Sequence, residues 1–182
     1  PGVEVVDGME IRRSLALPHD GQLLAGWTCA RFVPERHEVH VQVAPALWPV
    51  LGAVLQRQRQ ALDLDAEPAL IAQAMAALPV PPREGLRLCG GIDGFEIAVR
   101  VILGQQVTVA AARTLTRRLV DALGTPVATP FDGIDRLFPT AATVAAADPE
   151  QIGTLGIVRQ RVRALQALAA AVHEGTIELH RG

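Results

Sequence analysis

Several residue types are missing from this 182-residue chain or occur only once. It contains no lysine, no asparagine and no tyrosine, and Ser14 is its single serine. A phosphate-binding P-loop and a Schiff-base site both need a lysine, so the sequence excludes both. Ser14 does not lie in a G-x-S-x-G turn, which excludes a serine hydrolase of that type.

Cysteine and histidine are too few and too scattered to predict a metal site. Cys29 and Cys89 have no C-x-x-C partner, and we expect both to be reduced and packed. His37 and His40 fall on opposite faces of a predicted strand. We expect neither a cofactor nor a metal. The sequence contains no signal peptide and no apolar run long enough to cross a membrane, which favours a cytoplasmic protein. Because the sequence starts at Pro1 without a methionine, we expect it to be a piece of a longer chain.

The first part of the chain has the pattern of β-strands. Residues 9–17 and 23–33 are rich in apolar residues, and Glu38–Val43 alternates strictly between valine and polar residues. Alternation with period two is typical of a half-buried strand. Turn-forming residues at 18–21 and 34–36 separate these segments. The sequence therefore predicts an antiparallel meander.

Two helices are predicted after the strands. Apolar residues at helical spacing mark the first over 47–55, and Asp65 is predicted to cap a second that runs to Leu78. Helix formation should then stop at three prolines, namely Pro79, Pro81 and Pro82. We place a domain boundary between 79 and 91.

The remainder is predicted to be helical. A D-x-x-E capping box at 93–96 begins one helix, which ends at Gly104, and Thr108 caps the next, which ends at Gly124. Further helices are predicted to follow Thr140, Asp148 and residue 159. The fold class is thus α+β, with a sheet domain over 1–88 and a helical domain over 89–182.

Arginines are unevenly distributed along the chain, whose formal net charge is only −2. Residues 97–118 contain four arginines and no acid, and 151–173 contain three and no acid. Arg113 and Arg117 are four apart and share one helix face. This stripe either contacts phosphates or forms an ordinary solvated helix face.

The segment G-Q-Q-V-T at 104–108 is a short polar connection between two apolar helices. Adjacent amides at a loop tip can bond base edges, or fill the gap that an extruded base leaves in a duplex. They can equally meet water or cap helix ends. The residues alone leave these alternatives open.

Residues 95–113, F-E-I-A-V-R-V-I-L-G-Q-Q-V-T-V-A-A-A-R, resemble the opening helices of the 3-methyladenine DNA glycosylase II (AlkA-type) family, which belongs to the helix–hairpin–helix glycosylases. The motifs L-F-P-T at 137–140, A-D-P at 147–149 and L-G-I-V-R-Q-R at 155–161 follow in the family's order. The sequence of these motifs is especially similar to that of family members fused behind an Ada-type regulatory region. The resemblance covers nearly the whole chain.

The resemblance implies a TATA-binding-protein-like sheet domain followed by the first part of the glycosylase domain. It implies a monomer that binds double-stranded DNA, flips alkylated bases such as 3-methyladenine, and hydrolyses the N-glycosidic bond. Gln106 matches the family's duplex wedge, where relatives often carry leucine. Gln105 and Val109 match the border of the base pocket, and we expect Gln105, Gln106, Thr108 and Arg113 to contact DNA.

The family's hairpin, L-P-G-[IV]-G-x-x-T-A, and the catalytic aspartate after it do not occur in this sequence. Both are expected beyond Gly182, so we assign no catalytic residue and expect this chain alone to be inactive. Asp93 and Asp148 are interpreted as helix caps. Two alternatives are a non-catalytic DNA-binding module of an Ada-type regulator and a purely structural domain.

Overall fold

The computed structural model describes residues 2–79 and 85–179, so Pro81 and Pro82 lie outside the described residues. Contacts between residues divide the chain into two units. The first unit consists of residues up to Leu51 together with those from Gly94 onward, and the second spans Gly52–Asp93. Each unit is described by itself below.

An antiparallel sheet opens the first unit, as the meander pattern predicted. Its strands lie in chain order and are β1 (Glu4–Asp7), β2 (Glu10–His19), β3 (Gln22–Val33) and β4 (Glu38–Val43). Asp20 and Gly21 join β2 to β3 with φ of 48° and 76°, the two left-handed residues that a tight hairpin turn requires. The short edge strand β1 was not predicted, because four residues without alternation give no period.

Side chains cover both faces of this sheet. On one face Gly26 leaves room for Leu47, since a Cβ at Gly26 would lie 3.0 Å from the Leu47 side chain. On the other face Trp27 meets Phe131 edge to face, with ring centroids 5.0 Å apart. Ser14 is buried on the Trp27 face, where its hydroxyl donates to the Arg136 carbonyl at 2.5 Å. The single serine therefore stabilises the fold.

Seven α-helices occur in the described residues. They are α1 (Leu51–Ala61), α2 (Pro68–Met75), α3 (Gly94–Gly104), α4 (Val109–Leu123), α5 (Ala141–Ala146), α6 (Pro149–Thr154) and α7 (Arg159–His173). The last five belong to the first unit and enclose one apolar core. That core contains Phe95, Val99, Leu103, Leu119, Val144, Ile152, Ile157, Val162, Leu165 and Ala169.

The predicted helix caps of the first unit are confirmed at three positions. Thr108 accepts from the Ala111 amide at 3.2 Å, which caps α4. Thr140 caps α5, and Asp148 caps α6 by accepting from the Glu150 amide at 2.9 Å. Satisfying these otherwise unpaired amides fixes where each helix begins.

The second unit departs from the predicted helix boundaries. Residues Pro45–Val50, at the end of the first unit, form a 3-10 helix, so α1 begins only at Leu51. Asp65 does not cap α2: it pairs with Arg59, and α2 starts after Glu67 with Pro68 at its first position. A proline at that position already has helical φ and needs no amide partner, which moves the helix start.

Two smaller expectations are also wrong. Cys29 is buried as predicted, but Cys89 is exposed, so only one of the two thiols is packed. His37 lies outside β4 in a left-handed conformation, φ 53°, after the short 3-10 helix Pro34–Arg36. The opposite-face argument for His37 and His40 therefore does not apply.

Candidate nucleic-acid interface

The four-residue turn between α3 and α4 is the centre of the candidate interface. Gln105, Gln106 and Thr108 are exposed, whereas Val107 is half-buried. Val109, the first residue of α4, is 70% exposed although it is apolar. The helices on either side are anchored in the core by Leu103 and Leu119, so a rigid base presents this turn to solvent.

Gln106 lies at the tip of the turn in an unusual backbone conformation. Its φ is 54°, the left-handed region that residues with a Cβ rarely adopt, at a cost of roughly 1–2 kcal/mol. Among residues 2–79 and 85–179 the Gln106 side-chain amide has no hydrogen-bond partner. Its donors and acceptors are thus available to an external polar group.

Neighbouring groups restrain the turn on both sides of Gln106. The Gln105 carbonyl accepts a hydrogen bond from Nη2 of Arg161 on α7. On the other side Thr108 is fixed as the cap of α4. Sequence reasoning missed Arg161, which it counted only as one member of a basic run, because nothing in local spacing shows a contact across 56 residues.

The arginines of α4, which include the predicted stripe of Arg113 and Arg117, differ in their partners. Arg118 donates to the Leu155 carbonyl at 3.0 Å, and Arg117 lies 3.6 Å from Asp121. In the described part of the chain, Arg113 has neither an ion-pair nor a hydrogen-bond partner. Arg113 is therefore the member of the stripe whose guanidinium is available to a phosphate.

Arg100 belongs to a buried ion network that joins the sheet to α3. Oε1 of Glu96 accepts from Arg100 at 2.7 Å, and Oε2 accepts from Arg13 on β2 at 2.7 Å. Arg13 also bonds Glu4 on β1 at 3.0 Å. Burial alone would raise the pKa of Glu96, but the charges of Arg13 and Arg100 hold it below its usual value.

Two cavities flank the α4 face that carries Arg113. A cavity of about 180 Å³ lies between the turn and α4 and is bounded by Val107, Val109 and Arg113. Gln105 is not among its lining residues. A second cavity of about 440 Å³ lies between α4 and β1, where Arg100, Arg113 and Arg117 all line it. The structure thus brings Val109 and Arg113 to one cavity and leaves Gln105 outside it.

Within residues 2–79 and 85–179, no three side chains of His, Cys, Asp or Glu are grouped closely enough to hold a metal ion. None of the helices in these ranges has the length and hydropathy that a membrane crossing demands.

Comparison with known proteins identifies the family. Residues 1–93 match the AlkA N-terminal domain, and residues 99–179 match the HhH-GPD superfamily base excision DNA repair protein. The chain belongs to the AlkA-type branch of the HhH-GPD superfamily. The resemblance carried by the F-E-x-x-V-R-x-I-L-G-Q-Q-V stretch is thereby confirmed, as is the α+β fold class.

Individual relatives of this AlkA-type chain are longer than it is. DNA-3-methyladenine glycosylase 2 of Escherichia coli is 38% identical over 79% of this chain, which spans 50% of that enzyme. A probable bifunctional transcriptional activator/DNA repair enzyme AlkA of Mycobacterium tuberculosis is 32% identical over the whole chain, which spans 36% of that protein.

A solved structure shares the AlkA-type chain's fold at low identity. The Clostridium acetobutylicum 8-oxoguanine glycosylase/lyase, in complex with double-stranded DNA containing cytosine opposite 8-oxoG, aligns with a TM-score of 0.68. The alignment covers 98% of this chain and 58% of that one, at 13% identity. This likeness concerns the fold.

Proposed function

We propose that this protein is part of a base-excision-repair DNA glycosylase that flips alkylated bases such as 3-methyladenine out of double-stranded DNA and releases them by hydrolysis. The observation that carries the proposal is the free amide of Gln106, at the tip of a turn anchored in the core. An extruded base leaves an unpaired partner in the duplex, and an amide can both donate to and accept from that partner.

The remaining site residues are assigned around Gln106. Arg113 supplies a phosphate contact, supported by its unpaired guanidinium, and Thr108 supplies a second polar contact close to the helix start. We assign both Gln105 and Val109 to the border of the pocket of the flipped base, although only Val109 lines the cavity beside α4. For Val109 the support is its 70% exposure beside a cavity of about 180 Å³, an arrangement suited to an apolar pocket wall.

Bond cleavage needs a carboxylate that is free to face the sugar, and the carboxylates beside this site, Glu4 and Glu96, are held in ion pairs with Arg13 and Arg100. The N-glycosidic bond breaks through an oxocarbenium-like transition state, which a carboxylate stabilises or for which it activates water. Alkylated purines carry positive charge and leave readily. Asp148 is used as a helix cap, and the family hairpin is absent from the sequence. We therefore propose that a carboxylate outside residues 1–182 completes the active site. Separately, we propose that the protein acts as a monomer in the cytoplasm.

The proposal also assigns a separate domain to each part of the chain. Residues 1–88 form the sheet domain and residues 89–182 the DNA-engaging helical domain. A second candidate function is a non-catalytic DNA-binding module, for which the support is the similarity to a mycobacterial protein named a probable bifunctional transcriptional activator/DNA repair enzyme AlkA, a name that includes a regulatory as well as a repair role. Release of 3-methyladenine from alkylated DNA by the longer protein would exclude that alternative; release by residues 1–182 alone would contradict a carboxylate located elsewhere.

Substitution of Gln106 tests the wedge. Gln106→Ala should weaken binding to a duplex with an abasic-site analogue by roughly 1–2 kcal/mol, part of the few kcal/mol that unstacking costs, and leave binding to intact duplex unchanged. Fluorescence anisotropy with both duplexes measures this difference. The control is Gln151→Ala on the exposed side of α6, which should change neither affinity. Unchanged binding of Gln106→Ala to the abasic duplex would remove the wedge assignment.

A further inference from the structure

Two arginines connect the α3–α4 turn to the α6–α7 turn in a reciprocal manner. Arg161 of α7 donates to the Gln105 carbonyl, in the α3–α4 turn. Arg118 of α4 donates to the Leu155 carbonyl, in the α6–α7 turn, at 3.0 Å. Each helix thus holds the turn that precedes the other. We call these two hydrogen bonds the arginine brace.

The bond from Arg161 acts on the peptide unit next to the proposed wedge. The carbonyl of Gln105 and the amide of Gln106 belong to one planar peptide. Rotation of this plane changes the φ of Gln106, which is 54°. Because Gln106 occupies a region that residues with a Cβ disfavour, an external hydrogen bond on this plane opposes its return to a more common conformation.

Arg118 restrains the α6–α7 turn in a similar way. Gly156 of that turn has a φ of 87°, and a Cβ there would lie 3.0 Å from Nη1 of Arg118. Glycine at this position therefore allows both the left-handed turn and the close approach of the guanidinium. The α6–α7 turn leads directly into α7, which carries Arg161. The two hydrogen bonds of the arginine brace therefore link α4 and α7 in both directions.

We propose that Arg161 is a positioning residue that holds Gln106 ready to enter the duplex, with Arg118 supporting it. This inference rests on the proposed function of Gln106 as a wedge. The affinity of a ligand falls in proportion to the population of the competent conformation. Removing the brace therefore weakens capture of a flipped site without removing any contact to DNA. Arg161 and Arg118 act as structural hydrogen-bond donors, unlike Arg113.

Binding measurements separate positioning from phosphate contact. Arg161→Met should weaken binding to an abasic-site duplex about fivefold to tenfold, through a smaller competent population, and change binding to intact duplex less than about twofold. The slope of log affinity against log salt should stay unchanged, whereas loss of a phosphate contact would lower it by about one. Arg163→Met is the matched control, because it removes an exposed arginine from the same helix.

A double-mutant cycle tests whether Arg161 acts through Gln106. The variant that combines Arg161→Met with Gln106→Ala should bind the abasic duplex within about twofold of Gln106→Ala alone, because coupled residues are non-additive. Arg161→Lys retains a donor on a long stem and should restore most of the affinity. Additive losses in the cycle, or equal weakening on both duplexes with a lower salt slope, would overturn the proposal.

Measurements without DNA test the brace independently of the proposed function. Backbone order parameters from NMR relaxation should fall at Gln106 in Arg161→Met, from about 0.85 towards about 0.6, and stay high at Leu119 in α4. Unchanged order at Gln106 would refute the brace. Equal binding of the wild-type protein to the abasic and intact duplexes would contradict the proposed function. The order parameters would still test whether Arg161 holds the turn at Gln106.

Discussion

Arginine side chains with the same charge have different surroundings in this protein. Glu96 binds Arg100 inside the ion network, and a carbonyl accepts from each of Arg118 and Arg161. The sequence showed two arginine-rich segments without acids, yet Glu96 lies just before the first segment, and the carbonyl partners of Arg118 and Arg161 lie 37 and 56 residues away. At the residue scale, the charge that is free to meet an external anion is therefore smaller than the sequence indicates.

Glu96 provides a prediction about pH. Glu96→Gln removes one member of a buried ion network and should lower the free energy of unfolding at pH 7 by about 3 kcal/mol or more. The pKa of Glu96 is lowered in the folded state, so its contribution is present above the unfolded pKa of about 4.3 and disappears as pH falls through the folded pKa. Urea unfolding at pH 7 and pH 3 should show the difference between variant and wild type shrinking at low pH.

The control for this pH effect is Glu35→Gln, since the Glu35 carboxylate has no ion-pair partner in the part of the chain that the structure describes. It should change the free energy of unfolding by less than about 0.5 kcal/mol at either pH. A constant difference between Glu96→Gln and wild type across this range would show that the carboxylate charge is not what stabilises the network.

At the scale of elements, the strands and helix starts that depend on neighbouring residues were predicted correctly from the sequence. Alternation over Glu38–Val43 predicted β4, and Thr108 predicted the start of α4, because periodicity and capping depend on adjacent residues. The edge strand β1 escaped prediction, since its pairing with β2 supplies the order that its own four residues lack. Likewise the candidate turn was predicted from its polarity, whereas its bond to Arg161 depends on tertiary structure.

The end of α4 shows a second case in which packing decides. Gly124 follows α4 with a φ of −74°, so it is not needed for a left-handed conformation. A Cβ there would instead lie 2.5 Å from the Val120 carbonyl oxygen and 2.6 Å from that of Leu137. The predicted helix end is confirmed, but the reason for glycine is the close approach of two backbone segments.

Gly124→Ala should consequently destabilise the protein, by about 1–3 kcal/mol, as overpacking against rigid atoms does. Gly153→Ala in α6 is the matched control, because a Cβ there has no atom within 4 Å. The control should raise stability by up to about 1 kcal/mol, since alanine favours a helix over glycine. Thermal unfolding of both variants measures the two shifts. Equal shifts in the same direction would contradict the packing argument.

For the whole molecule, a formal net charge of −2 gives no general attraction to nucleic acid, so any DNA affinity must arise from a local surface. In the proposed function, that surface combines an exposed turn, which would recognise distortion of the duplex, with few available cations. Phosphate contacts release counterions and make affinity depend on salt, while a wedge that fills a gap in the duplex does not. Selectivity for a distorted site and salt dependence should therefore be separable properties of this protein.

Arg113→Met tests this separation at the scale of the whole protein. It should weaken binding to abasic and intact duplexes by a similar factor and lower the slope of log affinity against log salt by about one, because Arg113 contacts a phosphate in the proposed function. Arg118→Met removes an equal charge from the same helix but should leave the slope unchanged, since its guanidinium is engaged by the Leu155 carbonyl. Anisotropy titrations between about 50 and 200 mM salt cover the range in which counterion release is measurable. Equal slopes for wild type and Arg113→Met would mean that phosphates are bound elsewhere, and the preference for the abasic duplex would then depend on the turn alone.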